Sequence, residues 1–162
     1  MTEQTPPVER FEVSRLVPAP PSAVYDLLTD PQGHVAIDSS GMLMAAEGER
    51  VRAPGDTFVV HMDREALGDY PMGTYDVTVI ITQLVPDALV EWTISGTIQP
   101  PLRHLYGYRL AAEGDGTRVT SYYDWSQIEE LYRPAGIFPV LPESALRATL
   151  GILDRTLRSR GA

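Results

Sequence analysis

The sequence predicts an α+β domain: a curved antiparallel sheet of six to seven strands wrapped around one long C-terminal helix, with one or two short helices after the first strand. Three observations carry this expectation. A strand-like run, Phe11 to Val17, leads straight into a proline-opened helical stripe. The middle of the chain repeats apolar–polar alternation between short turn-like links. The end carries a single long apolar stripe at helical spacing, from about Pro142 to Arg160.

In the first strand Phe11, Val13 and Val17 alternate with polar residues. Pro20 and Pro21 then sit where a helix's first turn tolerates proline. Val24, Leu27 and Leu28 form the stripe of that helix, and Pro31 stops it. Residues 32–40 read either as a loop or as a second short helix. Strand signals follow: a weak one at Met42–Ala46, then Thr57–Met62, and a clean alternation from Tyr75 to Ile81. Val90, Trp92, Ile94 and Ile98 mark the next strand, and His104, Tyr106, Tyr108 and Leu110 the one after. Gly114-Asp115-Gly116 makes a turn, and Val119, Ser121, Tyr123 and Trp125 share one face of the last strand. Short links of this kind imply an antiparallel meander. Ala66–Gly73 reads as a longer hairpin loop, and 127–141, with Pro134, Gly136 and Pro139 inside it and Pro142 just after, as an irregular crossing. The final helix places Leu146, Leu150, Leu153 and Leu157 on one stripe. Glu143 lies at its start, and Arg155 and Arg158 towards its end, as the helix dipole favours.

The chain of 162 residues, 43% hydrophobic, suits a single domain over 10–162 behind a loose polar tail at 1–9. No apolar run approaches the ~20 residues of a membrane span. The first residues lack the basic start and apolar stretch of a secretory signal. With no cysteine, disulfides and thiolate metal sites are excluded, and a cytoplasmic location is expected. The net charge is −9 and every basic residue is arginine. That makes nucleic acid and anionic membranes poor partners. Without lysine, Schiff-base and P-loop chemistry are absent. No dinucleotide fingerprint or nucleophile elbow occurs, so no cofactor is expected.

A single helix about 10 Å wide cannot cover the concave face of so many strands, so an apolar hollow is expected between sheet and helix. Alternation nominates its lining. Phe58, Val60 and Met62 come from one strand, and Tyr75, Val77 and Val79 from the next. Trp92 and Ile94, then His104, Tyr106 and Tyr108, then Tyr123 and Trp125 follow, with Leu146 and Leu150 from the helix. A mostly apolar wall with a few polar tips is the make-up of a small-molecule pocket. The alternative is that these side chains fill the interior.

His104, Tyr106 and Tyr108 recur at period two and are the candidate catalytic or ligand-polarising groups. Read plainly, they are amphipathic aromatics of a core strand. His34, Ile37 and Asp38 are candidates for the cavity entrance; on a helix His34 and Asp38 would share a face, and otherwise Asp38 is a loop cap. His61 and Asp63 are expected to face solvent. Three histidines in separate elements give no metal spacing, so no metal is expected.

Four stretches share a further likeness. They are Phe11 to Pro21; Asp30-Pro31 with Gly33-His34 and Ile37 to Gly41; the strand from His104 to Leu110; and Gly116 to Thr120 leading into Tyr123-Asp-Trp-Ser126. In their order and spacing the chain resembles the SRPBCC superfamily of START-like, helix-grip proteins, and within it the polyketide cyclase/dehydrase and lipid-transport type. The resemblance spans about residues 11–160. It implies a cavity between sheet and C-terminal helix for a hydrophobic or aromatic molecule, lipid or polyketide-like. Related sequences often read Asp-Gly-Ser-Gly where this chain has Asp38-Ser-Ser-Gly41, so the entrance loop is expected to differ. The superfamily has no single catalytic motif, and no catalytic residue is carried over. Three readings stay open: a hydrophobic-ligand binder, a polyketide cyclase, aromatase or dehydratase using the same cavity, and a protein-interaction module. Oligomeric state is not fixed by the residues.

Overall fold

The structure, a computed structural model, describes residues 8–161. Seven strands form one antiparallel sheet: β1 (Arg10–Val17), β2 (Leu43–Glu47), β3 (Thr57–Asp63), β4 (Thr74–Val85), β5 (Leu89–Ser95), β6 (Leu105–Glu113) and β7 (Gly116–Asp124). The helices are α1 (Pro21–Thr29), α2 (Pro31–Ala36) and α3 (Glu143–Ser159). The spatial order is β1-β7-β6-β5-β4-β3-β2, so β2 to β7 are a meander and only β1 joins out of sequence. Every pairing is antiparallel. The chain therefore leaves β1 at one edge and must cross the sheet to begin β2 at the other. The helices α1 and α2 make that crossing.

Their geometry follows from the sequence. Pro20 and Pro21 set extended and then helical dihedrals at the start of α1. Asp30 ends α1 in an extended conformation and caps α2, its Oδ1 accepting from Gln32 N at 3.0 Å. Gly33 lets α2 fold back on α1, because a Cβ there would collide with the Leu27 carbonyl. Val24, Leu27 and Leu28 turn inward and are buried.

The core is concentrated where α1 and α3 meet the sheet. Val13, Val17, Val24, Leu28, Val119 and Leu153 are all at most 5% exposed. The helix α3 packs on β1 and β7, and α2 on β2. A polar latch reinforces the first contact. Asp154, buried on α3, accepts from Arg15 Nε of β1 at 2.9 Å and from Arg158 Nε at 2.6 Å. Burial alone would raise the Asp154 carboxyl, but the two guanidinium partners outweigh it and hold it below its ordinary range.

The outer face carries its own buried group. Glu91 accepts from Tyr122 Oη at 2.6 Å, Thr82 Oγ1 at 2.8 Å and Gln83 Nε2 at 3.0 Å. Tyr122 lies across Gly107, with the Arg10 guanidinium 4.2 Å from its ring centre. Tyr122 is thus as buried as Tyr123, although the two point to opposite faces.

Three details differ from the sequence reading. The strand expected to reach Ile98 ends at Ser95, and Ile98 stands 42% exposed in the loop beyond. Pro100 and Pro101 lack the backbone donors that would prolong the ladder. His104 and Trp125 fall just outside β6 and β7, at the mouth end of the sheet. Of the expected tail, residues 1–7 lie outside the described residues. Glu9 belongs to the folded body: its carbonyl accepts from Trp125 N and its carboxylate pairs with Arg133 at 2.6 Å.

Candidate functional site: a cavity between sheet and last helix

The helix α3 covers the β1–β7 side of the sheet, and the opposite half is left open. There the concave face encloses a cavity of about 950 Å³, at the upper end of the ~300–1,000 Å³ usual for small-molecule sites. Its wall is built by strand alternation. Val60 and Met62 come from β3, Tyr75, Val77 and Val79 from β4, Trp92 and Ile94 from β5, and Tyr106 and Tyr108 from β6. The first turns of α3 contribute Leu146 and Thr149, and the α2–β2 side contributes His34, Ile37 and Asp38. Three loops frame the mouth: the β3–β4 loop with Tyr70 and Met72, the β5–β6 loop with Ile98 and Leu102, and the stretch before α3 with Ile137 and Val140.

Four residues nominated from the sequence stand off the cavity. Phe58 is buried behind His34, edge-on at 5.0 Å between ring centres. Leu150 is inside the core under α3. Trp125 stacks on Tyr123 at 5.5 Å and meets Phe11 at 4.9 Å, beyond the end of β7. Tyr123 is fully buried, and its hydroxyl touches the site from behind, through His104 and Tyr106. The cavity occupies only part of the concave face, and these four lie beyond its edge.

The polar groups differ in what they are free to do. His34 Nε2 lies 2.8 Å from the Leu28 carbonyl, so that nitrogen carries the proton and donates. Burial pushes its pKa down, and its ring packs edge-on against Trp92 at 4.8 Å. Asp38 does not orient it. The Asp38 carboxylate accepts from Ser40 N, Ser40 Oγ, Gly41 N and Leu43 N, which makes it the organiser of the entrance loop. This is the loop-cap reading of the pair. His104 is 4% exposed and its Nδ1 lies 2.8 Å from Tyr123 Oη. Burial lowers its pKa to about 4, so the imidazole is neutral near pH 7. Burial likewise pushes the phenols of Tyr106 and Tyr108 well above their ordinary value. The deep wall is therefore an aromatic surface with neutral dipoles. Trp92 stacks on Tyr106 at 5.9 Å and on Tyr108 at 5.8 Å, and Tyr106 leans on Tyr123 at 4.7 Å.

Charge appears only towards the mouth. Arg64 follows β3 directly and grips Asp69 with Nε and Nη2, at 2.9 and 2.8 Å. Its guanidinium also lies over the Tyr70 ring at 5.1 Å. The Asp69 bond holds Arg64 above its ordinary range against the cost of burial, and the nearby Tyr75 hydroxyl adds to this. Sequence reasoning missed Arg64 and the loop residues, because loops carry no periodicity to read. The one available signal was the arginine beside a turn-rich stretch, Arg64 to Gly73. Among the described residues no group of three or more His, Asp or Glu side chains could hold a metal ion. Among the same described residues no helix is long and apolar enough to cross a membrane.

Comparison with known proteins agrees with this architecture. The profile of the family described as polyketide cyclase / dehydrase and lipid transport matches residues 9–158. No curated protein is similar enough in sequence to count as a match. Among solved structures, protein CV1439 from Chromobacterium violaceum superposes with a TM-score of 0.65 at 16% identity, over 91% of this chain and 96% of that one. The AHSA1-like protein from Aeromonas hydrophila gives 0.60 at 15% identity, over 94% of each chain. DynU16, a putative protein in the dynemicin biosynthetic locus, gives 0.59 at 18% identity, over 94% of this chain and 48% of that one. At these identities the likeness concerns the fold alone.

Proposed function

The chain belongs to the polyketide cyclase / dehydrase and lipid transport family, and from that premise we propose that it binds a hydrophobic or aromatic small molecule, lipid or polyketide-like, in the cavity between sheet and α3, acting in the cytoplasm as a carrier or sensor. The observation that carries this reading is the cavity itself. About 950 Å³ is held open on a wall of Val, Ile, Trp and Tyr side chains, while Val17, Val24, Leu28, Val119 and Leu153 close the part of the core away from it. Apolar surface of this kind gains roughly 25 cal/mol per Å² when a guest displaces water from it. The neutral phenols and imidazole along the wall can exchange hydrogen bonds with carbonyls or hydroxyls of that guest without desolvating a charge.

A second reading, a cyclase or dehydratase, rests on His104 and Tyr106, whose rings lie 5.1 Å apart beside the cavity. It is weaker on one physical ground. A general base works best with a pKa near the working pH, and His104 at about 4 is a poor one. An interaction module would favour an exposed apolar patch over a deep recess.

The test is direct titration with the neutral apolar dye Nile Red. Wild-type protein is expected to bind it, with Trp92 fluorescence responding. Ile94→Trp, which fills the cavity from one wall, is expected to weaken binding at least tenfold with an unchanged circular-dichroism spectrum. Equal binding by both proteins would overturn the proposal. Native mass spectrometry of protein from its own host would then identify the guest, and incubation with an aromatic polyketide mimic separates the two readings by turnover.

A further inference from the structure

The interior wall says the guest is apolar, but Arg64 at the mouth says something about its end. Resting on the cavity-binding reading above, we infer that Arg64 anchors a neutral oxygen acceptor, a ketone, ester or amide carbonyl or an alcohol, at one end of a guest whose apolar body lies along the aromatic wall.

The argument begins with what each guanidinium nitrogen does. Nε and Nη2 are both engaged by Asp69, in a two-pronged pair at 2.9 and 2.8 Å. The remaining nitrogen, Nη1, has the Met42 thioether sulfur at 3.7 Å as its hydrogen-bond contact among the described residues. A thioether is a weak acceptor. The Arg64 side chain as a whole is 17% exposed and borders the cavity, so a guest that fills the cavity displaces water from that nitrogen and must replace its hydrogen bond. Nη1 carries two N–H bonds, so even with the Tyr75 hydroxyl close to the guanidinium it keeps a charged donor whose partner on the protein is a sulfur rather than the oxygen its chemistry prefers. Arg64, Met42, Asp69 and Tyr75 all border the cavity, so such an oxygen can come from a guest. The Tyr75 hydroxyl accepts from the Arg64 guanidinium and keeps its own proton free beside the cavity.

The charge balance decides between a neutral oxygen and an anion. Arg64 is already matched by Asp69. The other acid on the lining, Asp38, has its oxygens taken up by the entrance loop and adds no positive charge. A carboxylate placed at Nη1 would be a second anion around one cation, partly out of water, and would be repelled by Asp69. A carbonyl or alcohol makes the same hydrogen bond without that cost. The position is also apt: the Arg64 backbone N–H donates to the Gly73 carbonyl at 2.9 Å, so this residue closes the base of the loop that frames the mouth.

The experiment uses the full chain and three probes of equal length: dodecane, 2-dodecanone and dodecanoate, each measured by displacement of Nile Red. Wild type is expected to bind the ketone roughly tenfold more tightly than the alkane, the weight of one hydrogen bond to a charged group, and more tightly than the acid. R64M should cut the ketone's advantage over the alkane severalfold, the ratio of the two affinities being the readout. D69N keeps the cation and removes its counter-charge, so it should turn the preference towards dodecanoate. Should R64M lose its fold by circular dichroism, D69N still decides. An acid that binds tightest in wild type, a ketone preference undiminished in R64M, or an unaltered preference in D69N would overturn the inference. Displacement without any discrimination of the head would overturn it alone. A protein that binds neither dye nor probes would overturn the cavity reading along with it.

Discussion

His104 supplies the sharpest test of the interior, because its titration is separable from everything around it. Its pKa falls from the ordinary 6.5 to about 4 on burial, so folding requires the neutral ring. A group depressed in the folded state contributes stability that is present above its unfolded pKa and lost as pH falls towards the folded value. The window here runs from about 6.5 down to about 4. Integrated between pH 7.5 and 5.5, the linkage removes about 1.3 kcal/mol. With a urea dependence of about 2 kcal/mol per molar for a small domain, the midpoint should move by roughly 0.6 M. The perturbation is His104→Gln, which abolishes the titration and leaves an amide for the Tyr123 hydroxyl now 2.8 Å from Nδ1. His34, also depressed, acts with the same sign as His104, and His61, raised beside Asp76 and Glu47, with the opposite sign. Both remain in the variant and cancel from the difference. Urea unfolding followed by tryptophan fluorescence at the two pH values is the assay. The expected result is that wild type loses about 1.3 kcal/mol more than H104Q between them. An identical pH dependence in the two proteins would refute the placement of a neutral imidazole in this wall.

Two further outcomes concern the scaffold. Gly107→Ala puts a Cβ into the Tyr122 ring and drives its hydroxyl from Glu91, leaving a buried carboxylate short of a donor; thermal or urea unfolding should show a loss of about 2–3 kcal/mol. Asp154→Asn should weaken the seating of α3 on β1. The two arginines are half exposed, so the loss is closer to ~1–2 kcal/mol than to the ~3–5 of a wholly buried pair. The Asp154 carboxyl is held below its ordinary 3.8, so this contribution is present above that pH and fades as pH falls beneath it. Wild type and variant should therefore differ at pH 6 and converge in acid.

The sheet was legible because alternation is a property of single strands. Val60, Met62, Tyr75, Val77, Trp92 and Ile94 fall on the concave face by counting residues two at a time, and the structure places each on the cavity. Counting cannot say where along a face the cavity stops. Phe58 and Val60 share a face of β3, yet only Val60 borders the open space, because α2 brings His34 against Phe58. Nor can it show a second buried layer. Tyr122 occupies an outward position by alternation and is buried all the same, since Glu91, Arg10 and the bare backbone of Gly107 enclose it. The mouth was least legible. Arg64, Tyr70, Met72 and Ile137 come from loops whose placement depends on tertiary contacts such as the Arg64–Asp69 pair.

The division between core and cavity has a consequence for how such a chain can vary. Val17, Val24, Leu28, Val119 and Leu153, each at most 3% exposed, join α1, α3 and the β1–β7 side without taking part in the cavity wall. Removing a methylene there costs about 1 kcal/mol or more, because the site cannot collapse around the gap. A residue that borders open space has no such jigsaw to satisfy. Exchanging Val77 or Ile94 for another apolar side chain changes the shape offered to a guest more than it changes the packing of the protein. Part of the stability therefore rests on side chains a guest never meets, whereas Val60, Val79, Trp92 and Leu146 are both core and wall and serve the two at once.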